Sequence, residues 1–90
     1  MKPLLIVNPA AGGGRAGRTL AALRPIAERA LGPVDVAITA RPGHAIVLAR
    51  EAAEARRELV VAVGGDGTLH EVANGVLRAA TGKTAMVTSA

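Results

Sequence analysis

The sequence predicts an α/β protein with a three-layer, doubly wound and mainly parallel sheet of the Rossmann-like kind. Short apolar segments alternate along the chain with longer segments of helical periodicity, in the order β-α-β-α-β-α-β. Glycine or proline separates most of these segments. Strands that alternate with helices pair in parallel through right-handed crossovers, and the helices cover both faces of the sheet.

Four short apolar segments are the predicted strands, at residues 4–7, 34–39, 59–63 and 85–88. The first is bounded by Pro3 and Asn8-Pro9, which favours a short buried strand. The second alternates between apolar and other residues, as a strand does. The third is apolar throughout, as expected of a strand that is covered on both faces.

Three segments have the apolar spacing of amphipathic helices, at residues 15–31, 44–57 and 68–80. Pro25 is unfavourable inside the first helix because proline removes a helical hydrogen bond, and Gly32 is predicted to end that helix. The pattern Thr68-x-x-Glu71 matches a capping box, which predicts that the third helix begins at Thr68. Residues 81–83 are predicted to end it.

The composition excludes several classes of protein. The chain has 90 residues, which suits one small domain, and half of them are hydrophobic. It has no cysteine, which excludes disulfides, and no aromatic residue on which nucleic-acid bases could stack. No apolar stretch approaches the roughly 20 residues of a membrane span. We therefore expect a cytoplasmic protein with no nucleic-acid partner.

A basic excess leaves two interpretations open. The formal net charge is +4, and four arginines, Arg15, Arg18, Arg24 and Arg29, fall within the first predicted helix. Such a face is usually just solvated, but it also suits peripheral contact with an anionic membrane surface.

The loops that follow the first three predicted strands meet at one edge of the sheet, where doubly wound folds bind their ligands. They are residues 8–14, 39–43 and 64–67. The last loop, Gly-Gly-Asp-Gly, leads into a helix, so its main chain can approach a phosphate that the helix N-terminus attracts. Asp66 is predicted to be exposed, either to meet a nucleotide hydroxyl or magnesium-bound phosphate or only to shape the turn. Thr68 and Glu71 have the alternative role of caps.

The first loop matches two named motifs incompletely. Residues 12–17 satisfy the G-x-G-x-x-G pattern of dinucleotide-binding proteins, but the acid that should follow, Asp35, lies at the start of its strand. Residues 12–19 approach a P-loop, with Arg18 in place of the required lysine. Two glycine-rich loops at one edge favour phosphate binding more than either motif does. His44 and His70 have no partners with metal-ligand or catalytic-triad spacing, so we expect capping or solvated roles for them.

Three motifs together resemble the diacylglycerol kinase catalytic-domain family, which includes bacterial lipid kinases, sphingosine kinases and ceramide kinases. The first is the Gly-Gly-Asp-Gly-Thr segment at 64–68 with Glu71-Val72-x-Asn74-Gly75 after it; the second is Asn8-Pro9-Ala10-Ala11-Gly12; the third is Thr39 with Pro42-Gly43-His44-Ala45. The resemblance covers residues 4 to about 80. It implies the fold of the N-terminal domain of lipid and NAD kinases, and transfer of the ATP γ-phosphate to a lipid hydroxyl.

The resemblance also implies a set of nucleotide-binding residues. Asn8 and Gly12 would line the nucleotide site, and Thr39 would contact the phosphates or ribose. The phosphate cradle would be Gly65, Asp66, Gly67 and Thr68, with Gly64 in the same turn and Glu71 supporting the loop or the nucleotide.

Two departures from the family imply a truncated chain. Residues 83–90 do not follow the family's Gly-Thr-x-Asn-Asp continuation, and the larger β-rich domain is absent. By resemblance, that domain carries the lipid pocket, the general base and the main ligands for Mg²⁺. Residues 1–90 are therefore predicted to be a single ATP-binding domain, inactive alone and inclined to self-associate through an exposed strand edge. The alternatives are an NAD kinase-like fragment and a non-catalytic nucleotide-binding or dimerisation module.

Overall fold

The structure is a computed structural model that describes residues 2–79 and 85–89, and these residues form four strands and three helices. In chain order they are β1 (Leu4–Val7), α1 (Ala11–Leu31), β2 (Asp35–Ile38), α2 (His44–Glu54), β3 (Leu59–Val63), α3 (Asp66–Arg78) and β4 (Ala85–Ser89). The predicted element order is confirmed. Residues 80–83, where α3 was predicted to end, lie outside the described ranges.

The described strands form one parallel sheet in the order β2-β1-β3-β4. Val7, the last residue of β1, is in register with Ile38 of β2 and with Val63 of β3. The three strands therefore end at the same level, and the loops that follow them leave from one edge. The chain passes from β1 to β2 on one side and then to β3 on the other, so a topological switch point lies between β1 and β3.

Helices cover both faces of the sheet, which confirms the predicted three layers. α2 and α3 pack on one face over a cluster of buried residues: Leu4, Ile6, Ala45, Ala49, Ala52, Val60, Ala62 and Val72. α1 packs on the other face over a second cluster: Leu5, Val7, Ala16, Val34, Val61 and Val63. Alternate residues of β1 belong to opposite clusters, because successive side chains of a strand point to opposite faces.

α1 begins four residues earlier than predicted, at Ala11 instead of residue 15. Ala11 and Ala16 pack against the sheet, and this tertiary contact draws the intervening glycines into the first turns of the helix. Gly13 and Gly14 have positive φ angles of 67° and 95°, so the start of the helix is irregular. Pro25 lies inside the helix at an exposed position.

α2 ends at Glu54, earlier than the predicted residue 57, because the chain turns back on itself there. Arg56 has a φ of 65°, and the backbone N–H of Arg57 donates to the carbonyl oxygen of Ala52 at 3.1 Å. A left-handed residue followed by such a backward hydrogen bond ends a helix in the manner of a Schellman motif. β2 is also shorter than the predicted residues 34–39, ending at Ile38.

An ion pair ties the amino-terminal edge of the sheet. Arg57 Nη1 donates to Asp35 Oδ2 at 2.8 Å and to the Lys2 carbonyl oxygen at 2.7 Å. The hydrogen bond from Arg57 lowers the pKa of the Asp35 carboxyl, and the charges of Arg57 and Lys2 act in the same direction. Asp35 is the first residue of β2, at the edge opposite the candidate site, so it cannot play the part of the dinucleotide-binding acid.

No helix within residues 2–79 and 85–89 is long and apolar enough to cross a bilayer.

Candidate functional site

A cleft of about 540 Å³ lies at the carboxyl edge of the sheet, at the topological switch point. Segments after β1 and β2 and the first turns of α2 and α3 enclose it. The lining residues are Asn8, Pro9, Ala10, Thr39, Ala40, Arg41, Pro42, Ala45, Thr68 and Glu71. Residues that are distant in the sequence thus converge where an open α/β sheet binds its ligand.

The cleft brings together part of the predicted set of binding residues. Asn8, Thr39, Thr68 and Glu71 all line it. The remaining predicted residues, Gly12, Gly64, Gly65, Asp66 and Gly67, do not line the cleft; Gly12 lies in the first turn of α1, and the other four lie between β3 and Thr68.

The loop after β1 is fixed by the hydrogen bonds of Asn8. Its backbone N–H donates to the Val63 carbonyl oxygen at 3.0 Å, which extends the ladder between β1 and β3. Its side-chain Oδ1 accepts the N–H of Ala10 at 3.2 Å, and its carbonyl oxygen accepts the N–H of Ala11 at 3.2 Å. The Asn side chain therefore shapes the turn that carries the chain from β1 into α1.

The loop after β2 is held by Thr39 and His44. The Thr39 N–H donates to the Val7 carbonyl oxygen at 2.8 Å and keeps the loop against β1. His44 Nδ1 accepts the N–H of Ala40 at 2.9 Å, and the His44 N–H donates to the Arg41 carbonyl oxygen at 3.1 Å. His44 therefore holds the loop after β2, and it does not cap α2, which begins without a side-chain cap.

The turn after β3 differs from the prediction. α3 begins at Asp66, with Gly65 as its N-cap, and no side chain caps it. The predicted capping box of Thr68 and Glu71 is therefore wrong. Thr68 is only 5% exposed, and its side chain packs so closely on Gly64 that a Cβ at Gly64 would overlap Thr68 Oγ1. Burial of Thr68 against the end of β3 thus prevails over capping.

The N-terminus of α3 presents unused hydrogen-bond donors beside the cleft. The first helical hydrogen bond runs from the Leu69 N–H to the Gly65 carbonyl oxygen at 3.1 Å. The N–H groups of Asp66, Gly67 and Thr68 have no acceptor among the described residues. Gly65 and Gly67 are exposed, and nothing lies within 4 Å of a Cβ built on either, so a ligand can reach this backbone.

All three described helices start at this edge without a side-chain cap: α1 after Ala10, α2 after Gly43 and α3 after Gly65. The N-terminus of a helix carries about half a positive charge and free N–H donors. The edge is therefore electropositive, and the acid at these first turns is Asp66, which is exposed.

Sequence reasoning missed Arg41 as a cleft residue. It lies two residues after Thr39, in the loop that follows β2. Among the lining residues, Arg41 carries the positive charge and Glu71 carries the negative charge. Its place in a loop at the carboxyl edge was the available signal.

Within the described residues, no group of three or more His, Asp or Glu side chains is arranged to hold a metal ion. His70 lies on α3, exposed, where its carbonyl oxygen accepts from Asn74 Nδ2 at 3.0 Å.

Comparison with known proteins supports the resemblance that the motifs suggested. Residues 2–88 match the model of the diacylglycerol kinase catalytic domain. The match includes residues 83–88, where a departure from the family pattern was predicted.

Three similar proteins have the names of kinases of lipids. The chain is 34% identical over 73 residues to sphingoid long chain base kinase 5 of Saccharomyces cerevisiae, covering 80% of the chain and 11% of that protein. It is 36% identical over 77 residues to a ceramide kinase of Oryza sativa subsp. japonica, covering 82% of the chain and 13% of that protein. It is 38% identical over 72 residues to a diacylglycerol kinase of Staphylococcus haemolyticus, covering 80% of the chain and 22% of that protein.

Among solved structures, a diacylglycerol kinase from Bacillus anthracis str. Sterne superposes with a TM-score of 0.83 at 31% identity. The superposition covers 97% of this chain and 31% of that one. The chain thus spans less than a third of the length of these relatives.

Proposed function

Since the chain belongs to the diacylglycerol kinase catalytic-domain family, we propose that residues 1–90 are the ATP-binding domain of a lipid kinase. The whole enzyme would transfer the γ-phosphate of ATP to a lipid hydroxyl. The named relatives act on a sphingoid base, a ceramide and a diacylglycerol, all of which are lipid alcohols. A lipid alcohol is therefore the proposed class of substrate.

One observation carries the proposal: three uncapped helix N-termini meet at a cleft beside a glycine-rich turn. Backbone N–H groups at a helix start bind phosphate, because the donors are otherwise unsatisfied and the helix dipole favours negative charge. The phosphates of ATP would lie over the N–H groups of Asp66, Gly67 and Thr68. Gly65 leaves the backbone open to them.

The other predicted residues receive roles that fit their positions. Asn8 and Thr39, which line the cleft after β1 and β2, would contact the nucleotide, and Gly12 would lie close to it at the start of α1. Because Gly64 has no side chain, it leaves room for the Thr68 side chain, which packs against it and fixes the turn. Glu71 would support the nucleotide or the loop from the second turn of α3.

In the proposed reaction the lipid hydroxyl oxygen attacks the γ-phosphorus. A new oxygen–phosphorus bond forms, the bond between the γ-phosphorus and the bridging oxygen breaks, ADP leaves, and the hydroxyl proton passes to a base. The residues of this chain would bind and orient the phosphates, which is the main demand of phosphoryl transfer. The described residues contain no cluster suited to Mg²⁺, so its ligands and the base are assigned to no residue here.

The alternative of an NAD kinase-like chain is disfavoured by the match of residues 2–88 and by relatives named for lipid substrates. Direct comparison of ATP with NAD as ligands distinguishes the two. Isothermal titration is the suitable method, because it needs no aromatic reporter and the chain has none. We expect ATP and ADP to bind more tightly than adenosine, because the phosphates carry the contact; preferential binding of NAD would overturn the proposal.

A matched pair of substitutions at Asp66 tests the backbone contact itself. Proline is well tolerated at the first position of a helix, and Gly65 before it is already extended, with φ −90° and ψ −167°. Asp66→Pro removes one N–H from the cradle, whereas Asp66→Ala removes the carboxylate and keeps that N–H. A hydrogen bond to a charged group contributes about 1.5–3 kcal/mol.

We therefore expect Asp66→Pro to weaken ATP binding by about tenfold to a hundredfold relative to Asp66→Ala. Circular dichroism establishes that both variants are folded. If Asp66→Pro is folded and binds ATP as tightly as Asp66→Ala, the phosphates do not lie on this turn.

A further inference from the structure

α2 and α3 pack side by side on the same face of the sheet, and several of their buried residues are small. The buried residues of α2 are all alanines, Ala45, Ala49, Ala52 and Ala53, and α3 contributes Gly75, which is also buried. Small side chains allow two helix backbones to approach closely. Where Gly75 meets α2, the separation of the two helices is therefore set by backbone and Cβ atoms, which have no rotamers to adjust.

The two helices approach each other closely at Gly75. A Cβ built there would overlap the carbonyl oxygen of Ile46 and would lie 2.8 Å from Ala49 Cβ and 3.0 Å from the backbone nitrogen of Arg50. Two of these three atoms belong to the α2 backbone. A change of side-chain rotamer therefore cannot relieve the overlap, and the whole of α2 would have to shift. Carbon atoms pack at about 3.5–4.0 Å, so a methyl group at Gly75 would require the helices to separate by about 1 Å.

The same two helices both contribute residues to the cleft. Ala45, in the first turn of α2, lines it, and so do Thr68 and Glu71 on α3. Gly75 lies one helical turn beyond Glu71 and about 10 Å along the axis from Thr68. Its contact with Ile46, the residue after Ala45, therefore sits about one turn behind the cleft.

We propose that Gly75 is a positioning residue that sets the width of the nucleotide cleft by letting α3 rest directly on the α2 backbone. The inference rests on the proposed function, since it assigns the width of that site to one residue. Loss of one hydrogen bond to a charged phosphate lowers affinity by at least about tenfold, so a separation of about 1 Å that breaks such a bond is enough to be seen in ligand binding.

A purely structural role for Gly75 makes a different prediction. If Gly75 matters only for packing, a methyl group there lowers the unfolding temperature while the folded fraction binds ATP normally. If Gly75 sets the cleft, the folded variant binds ATP more weakly. ATP affinity, measured well below the unfolding midpoint, separates the two roles.

The test compares Gly75→Ala with Gly17→Ala by isothermal titration with ATP and by thermal unfolding followed by circular dichroism. Gly17 is a matched control, because it lies in α1 at an exposed position with nothing within 4 Å of a built Cβ. We expect Gly75→Ala to bind ATP at least about tenfold more weakly than the unmodified chain, as the loss of one hydrogen bond to a phosphate would, and Gly17→Ala to bind as the unmodified chain does. Unchanged affinity in folded Gly75→Ala would overturn the inference.

A second pair decides the matter if Gly75→Ala does not fold. Ala49→Ser and Ala52→Ser each add one atom to a buried position of α2, but Ala49 touches the Gly75 contact and Ala52 lies about one turn farther from the cleft. We expect weaker ATP binding from Ala49→Ser alone; equal affinities would refute the role of Gly75. Failure of the unmodified chain to bind ATP would instead refute the proposed function.

Discussion

Replacement of Gly64 by alanine tests whether the turn after β3 depends on Thr68 lying against a residue without a side chain. Gly64 is buried at the end of β3, and Thr68 covers it from the first turn of α3. The new Cβ would overlap Thr68 Oγ1 and would lie 2.8 Å from Thr68 Cβ and 3.1 Å from Thr68 Cγ2. Thr68 would have to retreat, and with it the N–H groups of the proposed phosphate cradle.

The structure sets the size of the effect. Carbon atoms pack at about 3.5–4.0 Å, so Thr68 must move by about 1 Å. Thr68 is only 5% exposed and has little room to do so. Overpacking of this kind costs about 1–3 kcal/mol, and each kcal/mol lowers the unfolding temperature of a domain of this size by about 4–8 °C. If the shift breaks one hydrogen bond to a phosphate, ATP affinity falls by at least about tenfold.

Circular dichroism and isothermal titration measure the two effects separately. Thr68→Ala in the Gly64→Ala background removes Oγ1 and Cγ2, so we expect it to restore part of the lost stability. Two residues in contact should show such coupling, whereas independent residues give additive effects. A Gly64→Ala variant that unfolds at the wild-type temperature, or additive effects in the double variant, would refute the reasoning.

Three further predictions concern other parts of the molecule. Because the hydrogen bond from Arg57 lowers the pKa of Asp35 below its ordinary value of 3.8, the Asp35 carboxylate stabilises the fold above that pH and loses its effect as the pH falls through the lowered pKa. The unfolding temperature of wild type should thus be higher than that of Asp35→Asn at neutral pH, and the difference between the two temperatures should shrink below about pH 4. A difference that stays constant with pH would contradict this. If the outer face of α1 contacts membranes, Arg18→Glu with Arg29→Glu should reduce sedimentation with anionic vesicles, whereas Arg78→Glu on α3 should not. Since β2 and β4 are edges of the described sheet, we expect a higher sedimentation coefficient at higher protein concentration, and a monomer throughout would exclude self-association.

The sequence predicts the architecture well where one physical effect dominates. Residues 59–63 are apolar without interruption, and β3 has those bounds because helices cover both faces of it. Predicted and observed bounds differ where tertiary packing competes with local preference. Glycines favour a loop at residues 12–14, yet α1 includes them because Ala11 and Ala16 are held against the sheet. The sequence does not encode that contact in any local pattern.

The candidate site was predictable to the extent that topology decides it. Parallel strands end at one edge, so the loops containing Asn8 and Thr39 had to meet, and the cleft lies between them. The role of Gly75 was beyond sequence reasoning. The proposed role follows from the short distances between Gly75 and the backbone of Ile46 and Arg50, which lie on another helix. Close approach between elements far apart in sequence is a property of the packed structure alone.

The wrong prediction of a capping box bears directly on function. A capped helix N-terminus has its N–H donors satisfied by its own side chains, and a ligand would have to displace them. Here Gly65 has no side chain to offer, and Thr68 is turned toward Gly64 instead. The donors of Asp66, Gly67 and Thr68 consequently have no acceptor within the part of the chain that the structure describes, at an edge where α1 and α2 also begin uncapped. An anionic ligand can accept these hydrogen bonds without displacing a side chain, and the helix dipole favours its negative charge, which is why a phosphate chain suits this edge better than a neutral ligand.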